Sequence, residues 1–181
     1  MPFTVIPSHL PEELPEGASE EAVKALALAK ARAVAARVEA GTVLAADTVV
    51  VLAGAIFGKP GDPEDARRML RALRGRWHEV ITAVALVEAP AGRETSAAVL
   101  TRVRMGDYAD AEIEAYLATG EPYDKAGAYA VQGAGGRLVA RVDGCYTNVV
   151  GLPLTTTRRL LVEWGIIPGG EGSTSGDSGS P

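Results

Sequence analysis

The chain has 181 residues, of which 47% are hydrophobic and 23% charged, a balance typical of one globular domain with a sizeable core. A net charge of -5 argues against sequence-independent binding of DNA or RNA, although a small anionic ligand needs only a local basic pocket. The sequence shows no secretory signal and no apolar run near the ~18 residues of a membrane span, and its single cysteine, Cys145, excludes an internal disulfide. We expect a cytoplasmic protein without nucleic-acid or membrane partners.

The predicted elements alternate between helices and strands along the chain. Apolar residues spaced by three and four predict the helices, and β-branched runs bounded by Gly, Pro and Asp predict the strands. In chain order they are a strand at Phe3–Ile6, a helix from Ser19 to Glu39, strands at Thr42–Leu52 and Ile56–Phe57, a helix from Asp62 to Gly75, strands at Trp77–Ala89 and Glu94–Met105, a helix at Asp110–Thr119, strands at Arg137–Val142 and Tyr146–Val150, and a helix at Pro153–Trp164. This order predicts an α/β fold with a twisted mixed sheet flanked by helices.

Two segments fall outside the predicted elements. Residues 121–136 are rich in Gly, Asp and Lys with little periodicity, which is typical of a mobile or functional loop. Residues 168–181 form a Gly/Ser-rich tail that we expect to be disordered. The predicted folded domain therefore covers residues 1–167.

Asp47 is the most unusual residue of the predicted core, because it interrupts an apolar strand. A buried carboxylate costs several kcal/mol unless a cation, a metal or hydrogen bonds compensate it. The residue type alone leaves open a structural role, a catalytic base and a metal ligand. Lys30, on the apolar side of its helix, and Lys59, between Gly and Pro, are weaker candidates, since lysines often lie along a surface with their amines in water.

Two further segments carry charges where a ligand could approach the backbone. Arg76 follows a helix and precedes a strand, where it could meet phosphate or be an exposed turn residue. The loop from Glu121 to Gly133 carries Asp124, Lys125 and Gln132 among glycines, which suits a nucleotide but also fits a charged surface loop. His9 and His78 are isolated, and their spacing suggests no metal or nucleophilic site.

Six blocks of the sequence together resemble the Maf family, the septum-formation-inhibitor-like nucleoside triphosphate pyrophosphatases. They occur in family order between Phe3 and Gly165, and their combination is far more specific than any one of them. The blocks are LALAKA at Leu26–Ala31, AADTVV at Ala45–Val50, GKP at Gly58–Pro60, GRWHEVITAVAL at Gly75–Leu86, GEPYDKAGAYAVQG at Gly120–Gly133 and NVVGLPL at Asn148–Leu154. The resemblance implies a Maf- and ITPase-like fold with an active-site cleft between two lobes.

The resemblance also implies roles for four residues in catalysis. Asp47 corresponds to the family's proton acceptor, and Lys30 and Lys59 to lysines that contact phosphate in the active site. Glu12 is the best match to an early acid of the family, and with Asp47 it would hold a divalent metal, Mg²⁺ by preference, with Mn²⁺ or Co²⁺ as alternatives. Water would attack the α-phosphorus of the substrate and displace pyrophosphate.

The branch of the family that acts on dTTP and UTP resembles this chain at two specificity positions, Thr48 and Gln132. A pyrimidine nucleoside triphosphate is therefore the implied substrate, with modified pyrimidine nucleotides as further candidates. Arg76, Asp124 and Lys125 are added to the predicted substrate-binding residues. A homodimer is left open.

The sequence departs from the family pattern at one phosphate-binding motif. Family members carry a Ser-x-Ser-Pro-Arg-Arg loop that binds the triphosphate, and no Ser-Pro-Arg-Arg occurs in this sequence. We expect its absence to slow dTTP hydrolysis. The alternative function is a catalytically impaired nucleotide-binding or regulatory member of the family linked to cell division.

Overall fold

A computed structural model describes residues 2–11, 19–90 and 92–169 of the chain. It contains five β-strands, five α-helices and three short 3₁₀ segments within those ranges. In chain order they are α1 (Glu20–Ala35), β1 (Gly41–Leu52), β2 (Ala55–Phe57), α2 (Pro63–Leu73), β3 (Trp77–Ala89), β4 (Glu94–Met105), α3 (Asp110–Leu117), 3₁₀ segments at Glu121–Asp124, Ala126–Ala128 and Gly133–Leu138, β5 (Val139–Asp143), α4 (Tyr146–Val150) and α5 (Leu154–Glu163).

The five strands form one sheet in the order β2-β1-β3-β4-β5. The long strands β1, β3 and β4 form its centre, and in their register Asp47 lies opposite Ala83 and Thr48 opposite Thr82. All pairings among the described strands are antiparallel, where we expected a mixed sheet. The α/β class with helices against a sheet is confirmed.

Helices cover both faces of this sheet. Because side chains alternate along a strand, odd-numbered residues of β1 face α1, whereas even-numbered residues face the opposite layer. The α1 side is a cluster of small and β-branched residues: Val23, Ala27, Ala31 and Ala35 of the helix with Val49, Val51, Ile81, Ala83 and Ala85 of the sheet. The other side buries a larger cluster against α2 and α3, including Val50, Leu52, Val80, Met69, Leu70, Leu73, Ile113 and Tyr116.

Most of the predicted elements are confirmed. The hairpin of β3 and β4 has the predicted bounds, and Ser19 and Asp62 cap α1 and α2 by accepting hydrogen bonds from backbone amides in the first turn. Helix α1 ends at Ala35 rather than at Glu39. The predicted disordered tail lies outside the described residues apart from positions 168 and 169.

Two predicted strands are wrong. Phe3–Ile6 lies without strand structure on the surface, with Phe3 82% exposed, because no described strand offers it backbone partners. Tyr146–Val150 is the helix α4, whose buried Asn148 is held by the sheet and whose end is marked by Gly151 at φ 114°. A glycine and a following proline are a helix-end signal, which outweighs the β-branched composition of this short run.

None of the helices in the described part of the chain is long and apolar enough to span a membrane.

Candidate active site

The principal cleft lies at the edge of the sheet beside β1. Strand β2 pairs only with Val50, Val51 and Leu52, so among the described residues no strand covers the rest of that edge. The cleft has a volume of about 720 Å³, which falls within the range of small-molecule sites. Its polar lining consists of Lys30, Asp47, Thr48, Lys59, Asp124, Lys125, Tyr129 and Gln132.

Residues from both faces of the sheet reach this cleft because it runs around the free edge of β1. Asp47 points to the α1 side and its neighbour Thr48 to the opposite side, yet both line the same cavity. A ligand in the cleft therefore meets a charged region on one side of the strand and a neutral, hydroxyl-bearing region on the other.

Lys30 and Asp47 form a buried ion pair on the α1 side. Only 9% of Lys30 and 7% of Asp47 is exposed, and the Lys30 ammonium contacts Asp47 Oδ1. The apolar wall of α1 and β1 removes water from the pair, which strengthens its attraction. The lysine thus compensates the carboxylate that made Asp47 unusual in the sequence, while the cleft keeps both residues within reach of a ligand.

Thr48, on the opposite side, is joined to the sheet by a hydrogen bond. Its Oγ1 lies 2.9 Å from Oγ1 of Thr82, the residue directly across on β3. Thr82 is fully buried and is bonded in turn to Asn148 of α4. The hydroxyl of Thr48 therefore has a fixed partner behind it and faces the cavity in front.

Three lysines and two acids give the cleft a positive balance on a chain of net charge -5. Lys125 Nζ donates a hydrogen bond to Asp124 Oδ1 at 2.6 Å. This bond lowers the pKa of Asp124, and the charge of Lys59 lowers it further. Lys59 therefore lies close enough to act on the same carboxylate, and the predicted lysines converge on one cavity.

Gly127 joins the loop of the cleft to the segment that carries Lys59. Its amide donates to the Gly58 carbonyl at 3.0 Å, and its φ is 68°. A side chain here would lie 3.1 Å from the methyl groups of Val50. The glycine is thus required by both conformation and space, and it lets the loop close over β1.

Glu121 organises the part of the loop that presents Gln132. Its carboxylate accepts hydrogen bonds from the Ala134 amide at 3.1 Å, the Gly135 amide at 3.2 Å and the Tyr116 hydroxyl at 3.0 Å. Desolvation alone would raise the pKa of Glu121, but the hydrogen bonds from the two amides and from Tyr116, together with the charge of Lys125, outweigh it and the pKa is lowered. The loop is a folded structure with a charged centre.

Tyr129 connects the loop to the central strand β3. Its hydroxyl lies 2.8 Å from Nε2 of His78, which is 3% exposed. Burial lowers the pKa of His78 to about 4, so the ring is neutral at pH 7. His78 thus supports the cleft from behind through its contact with Tyr129.

The donors present fit a metal bound largely through substrate. No group of three or more His, Cys, Asp or Glu in the described ranges is placed to hold a metal ion by itself. Mg²⁺ commonly takes one or two carboxylates and completes its shell with phosphate oxygens and water. Asp47 offers such a carboxylate at the cleft, and the predicted second acid, Glu12, lies outside the described residues.

Arg76 is the predicted site residue that the structure places elsewhere. It is exposed in the turn between α2 and β3, where its carbonyl accepts from the Met105 amide. Ala83, opposite Asp47, is seven residues further along β3, or roughly 23 Å at the rise of a strand. Arg76 does not line the cleft, and its role in substrate binding stays a prediction.

Sequence reasoning missed Tyr129, Thr82 and Asn148 as parts of the site and its support. The signals were polar residues inside apolar runs, ITAVAL for Thr82 and NVVGL for Asn148, of the same kind that identified Asp47. The position of Tyr129 depends on tertiary packing and had no local signal.

Comparison with known proteins identifies the family to which this chain belongs. The family model described as Maf-like protein matches residues 1–164. The chain belongs to the Maf family. A dTTP/UTP pyrophosphatase of Moorella thermoacetica is 51% identical over 170 residues, which cover 92% of this chain and 86% of the relative. A protein of the same name from Carboxydothermus hydrogenoformans is 46% identical, over 90% of this chain and 88% of the relative. Another, from Thermomicrobium roseum, is 51% identical, over 91% of this chain and 76% of the relative.

The Maf resemblance of the six sequence blocks is thereby confirmed. All six contribute residues to the cleft: LALAKA through Lys30, AADTVV through Asp47 and Thr48, GKP through Lys59, GRWHEVITAVAL through Val80, the block at 120–133 through its loop and NVVGLPL through Val149, Val150 and Gly151. Apart from Val80, GRWHEVITAVAL lies behind the cleft, mainly as part of β3. The blocks thus mark one Maf-family cavity.

Proposed function

We propose that this Maf-family chain hydrolyses dTTP and UTP to the nucleoside monophosphate and pyrophosphate. The observation that carries the proposal is the cleft, where a buried Lys30–Asp47 pair lies with Lys59, Thr48 and Gln132. Relatives near 50% identity that cover most of the chain bear the name dTTP/UTP pyrophosphatase. Cations suit a triphosphate, and the neutral hydroxyl and amide suit a base.

The two sides of β1 bind different parts of the substrate, one the triphosphate and the other the base. The triphosphate lies toward Lys30 and Lys59, where positive charge stabilises its oxygens. The base lies toward Thr48 and Gln132, whose polar atoms form hydrogen bonds to it. The α-phosphorus, which joins nucleoside and pyrophosphate, then falls near Asp47 at the strand edge.

In the chemical step, Asp47 accepts a proton from the attacking water, and the new bond forms between water oxygen and the α-phosphorus. The bond from this phosphorus to the α,β-bridging oxygen breaks, and pyrophosphate leaves with the bonding electrons. Lys30 and Lys59 stabilise the charge that accumulates on the phosphate oxygens. The Lys30 ammonium also keeps Asp47 ionised and oriented.

A divalent ion, Mg²⁺ by preference, would be held by Asp47 and Glu12 and would neutralise phosphate charge in the bound complex. Asp124 and Lys125, joined to each other at the rim, would contact the outer part of the substrate. The partner of the protein is therefore a pyrimidine nucleoside triphosphate.

Isotope labelling tests the reaction directly. In H₂¹⁸O, attack on the α-phosphorus places ¹⁸O in the nucleoside monophosphate, whereas attack on the β-phosphorus places it in pyrophosphate. We expect label in dTMP and UMP alone, and higher kcat/KM for dTTP and UTP than for dCTP, dATP and dGTP. Label in pyrophosphate would contradict the mechanism. Binding of dTTP without turnover would instead support an impaired nucleotide-binding protein.

A further inference from the structure

The hydroxyl of Thr48 is backed by a chain of buried polar groups that ends in α4. Thr82 and Asn148 are both 0% exposed. Thr82 Oγ1 lies between Thr48 Oγ1, at 2.9 Å, and the Asn148 carbonyl oxygen, at 2.8 Å. None of these contacts involves a charged group, so the directions of the hydrogen bonds follow from donors and acceptors alone.

Asn148 is fixed in a single orientation. Its Oδ1 accepts from the Thr82 amide at 3.2 Å, and its Nδ2 donates to the Val80 carbonyl at 3.0 Å and to Thr101 Oγ1 at 2.9 Å. A backbone amide can only donate and a carbonyl can only accept, so the side-chain amide of Asn148 cannot be reversed. The backbone of α4 is thereby held against β3.

This fixed position determines which way the hydroxyl of Thr82 points. The Asn148 carbonyl accepts only, so the bond at 2.8 Å uses the single hydroxyl hydrogen of Thr82. The Thr82 hydroxyl has no second hydrogen to donate to Thr48. In the contact at 2.9 Å, the Thr48 hydroxyl must therefore donate and Thr82 Oγ1 must accept. The hydrogen of Thr48 is thus used inside the protein, and only its lone pairs remain for a ligand.

We propose that Thr82, oriented by Asn148, is a positioning residue that makes Thr48 an acceptor for the N3–H group of thymine or uracil. This inference rests on the proposed function and specifies how that site selects its base. The polar edge of thymine and uracil carries one donor, N3–H, between two carbonyl oxygens. Cytosine has an unprotonated N3 at the same place, so two acceptors would face each other across the cleft.

Three substitutions behind the cleft test the role of Thr82. Thr82→Val preserves shape and removes the acceptor, which frees the Thr48 hydroxyl to rotate and donate. We expect the ratio of kcat/KM for dTTP over dCTP to fall about tenfold, a typical effect of one mismatched hydrogen bond. Thr82→Ser restores the acceptor and should restore the ratio. Thr101→Val is the matched control, because it removes a hydroxyl that bonds to Asn148 and to the backbone of Cys145 in the same buried network without contacting Thr48.

The substrate N3-methyl-UTP tests the same contact in the unaltered protein, whether or not the Thr82→Val variant folds. It removes the N3–H donor and keeps both carbonyl oxygens, and we expect kcat/KM at least about tenfold below that for UTP. Equal rates on the two substrates would overturn the inference, as would a folded Thr82→Val variant with an unchanged dTTP/dCTP ratio, or an equal loss of ratio in Thr101→Val. These results would leave the proposed function intact, whereas no hydrolysis of dTTP by the unaltered chain would overturn both.

Discussion

In the proposed mechanism, Asp47 has a chemical role in addition to its structural pairing with Lys30. Asp47→Asn keeps the size of the residue but removes its capacity to accept a proton, so we expect kcat/KM for dTTP to fall by about 10²–10⁴-fold. The variant also leaves the buried Lys30 ammonium without its carboxylate, at a cost of roughly 3 kcal/mol in the free energy of unfolding. Pyrophosphate release and urea unfolding measure the two effects.

Asp107→Asn is the matched control for this substitution. Asp107 is exposed and does not line the cleft. We expect its removal to change the free energy of unfolding by less than about 0.5 kcal/mol. If Asp47→Asn, confirmed as folded by circular dichroism, retained most of the activity, Asp47 would have no part in proton transfer.

His78 makes the stability of the protein depend on pH. Burial lowers its pKa from 6.5 to about 4, so the unfolded chain binds a proton at a pH where the folded chain does not. The contribution of neutral His78 to the free energy of unfolding is therefore complete above pH 6.5. It is lost as the pH falls toward 4, by about 3 kcal/mol in total. The carboxylates with lowered pKa, such as Asp110 at about 2, lose their contribution at lower pH.

His78→Gln isolates this effect, because glutamine retains a hydrogen-bonding group toward Tyr129 and does not titrate. We expect the free energy of unfolding of the variant to vary less with pH between 4 and 6.5, with a difference in slope that corresponds to about one proton. Urea unfolding at several pH values measures both slopes. Parallel curves for the two proteins would show that the buried histidine is not the group that titrates.

At the scale of elements, α3 begins with an incomplete N-cap. Ala109 has the extended conformation of a cap residue, and its amide donates to Glu112 Oε2 at 2.8 Å, but its side chain offers no acceptor in return. Ala109→Ser would supply one to the Glu112 amide and complete a capping box. We expect the free energy of unfolding to rise by about 1 kcal/mol in urea unfolding.

Ala111→Ser provides the comparison, since it places the same side chain at an exposed position inside the same helix. Serine forms helix less readily than alanine, so this variant should be slightly less stable than the unaltered protein. Equal effects of the two serines would show that the cap geometry of α3 is not responsible.

Long elements with strong periodicity could be predicted from the sequence, whereas short ones depended on their surroundings. The hairpin of β3 and β4 combines two long β-branched runs, and its bounds were confirmed. Residues 146–150 have the composition of a strand, but they form a helix turn from which Asn148 is hydrogen-bonded to the sheet. Phe3–Ile6 has the composition of a strand and no described neighbour to pair with.

The candidate site was likewise predictable where a local pattern identified a residue, and not where tertiary contacts did. Asp47 and Lys30 were found because charged residues in apolar patterns require compensation, and the structure brings them together. The sequence could not place Arg76 relative to the cleft, because a local junction of helix and strand says nothing about which end of the sheet carries the cleft. Thr82 and Asn148 lie in separate segments, and their contact depends on the register of β3 and the docking of α4.

At the scale of the whole molecule, the cleft lies where the described strands cover only part of one edge of the sheet. Strand β1 presents Asp47 to one layer and Thr48 to the other, so charged and neutral regions meet around a single strand. The loop of residues 121–138 closes over this edge and carries Gln132. The site thus depends on the order of a segment that has no long helix or strand of its own.

Glu121 holds this loop together, and its substitution tests whether loop order sets substrate affinity. The carboxylate accepts three hydrogen bonds, from Ala134, Gly135 and Tyr116, and a glutamine side chain has a single acceptor oxygen. Glu121→Gln should therefore loosen the loop and raise KM for dTTP several-fold, with a smaller effect on kcat, because Lys30 and Asp47 lie on α1 and β1. Amide hydrogen exchange of Ala134 and Gly135 should accelerate.

Glu79→Gln, at an exposed position of β3 outside the cleft, is the control with the same change of charge. It should leave KM and amide exchange in the loop unchanged, since Glu79 contacts neither the loop nor the lysines of the cleft in any described hydrogen bond. Faster exchange of Ala134 and Gly135 in Glu121→Gln with an unchanged KM would mean that the loop can open without affecting the substrate. Gln132 would then be positioned by contacts with the nucleotide itself, and the role assigned to the folded loop would be wrong.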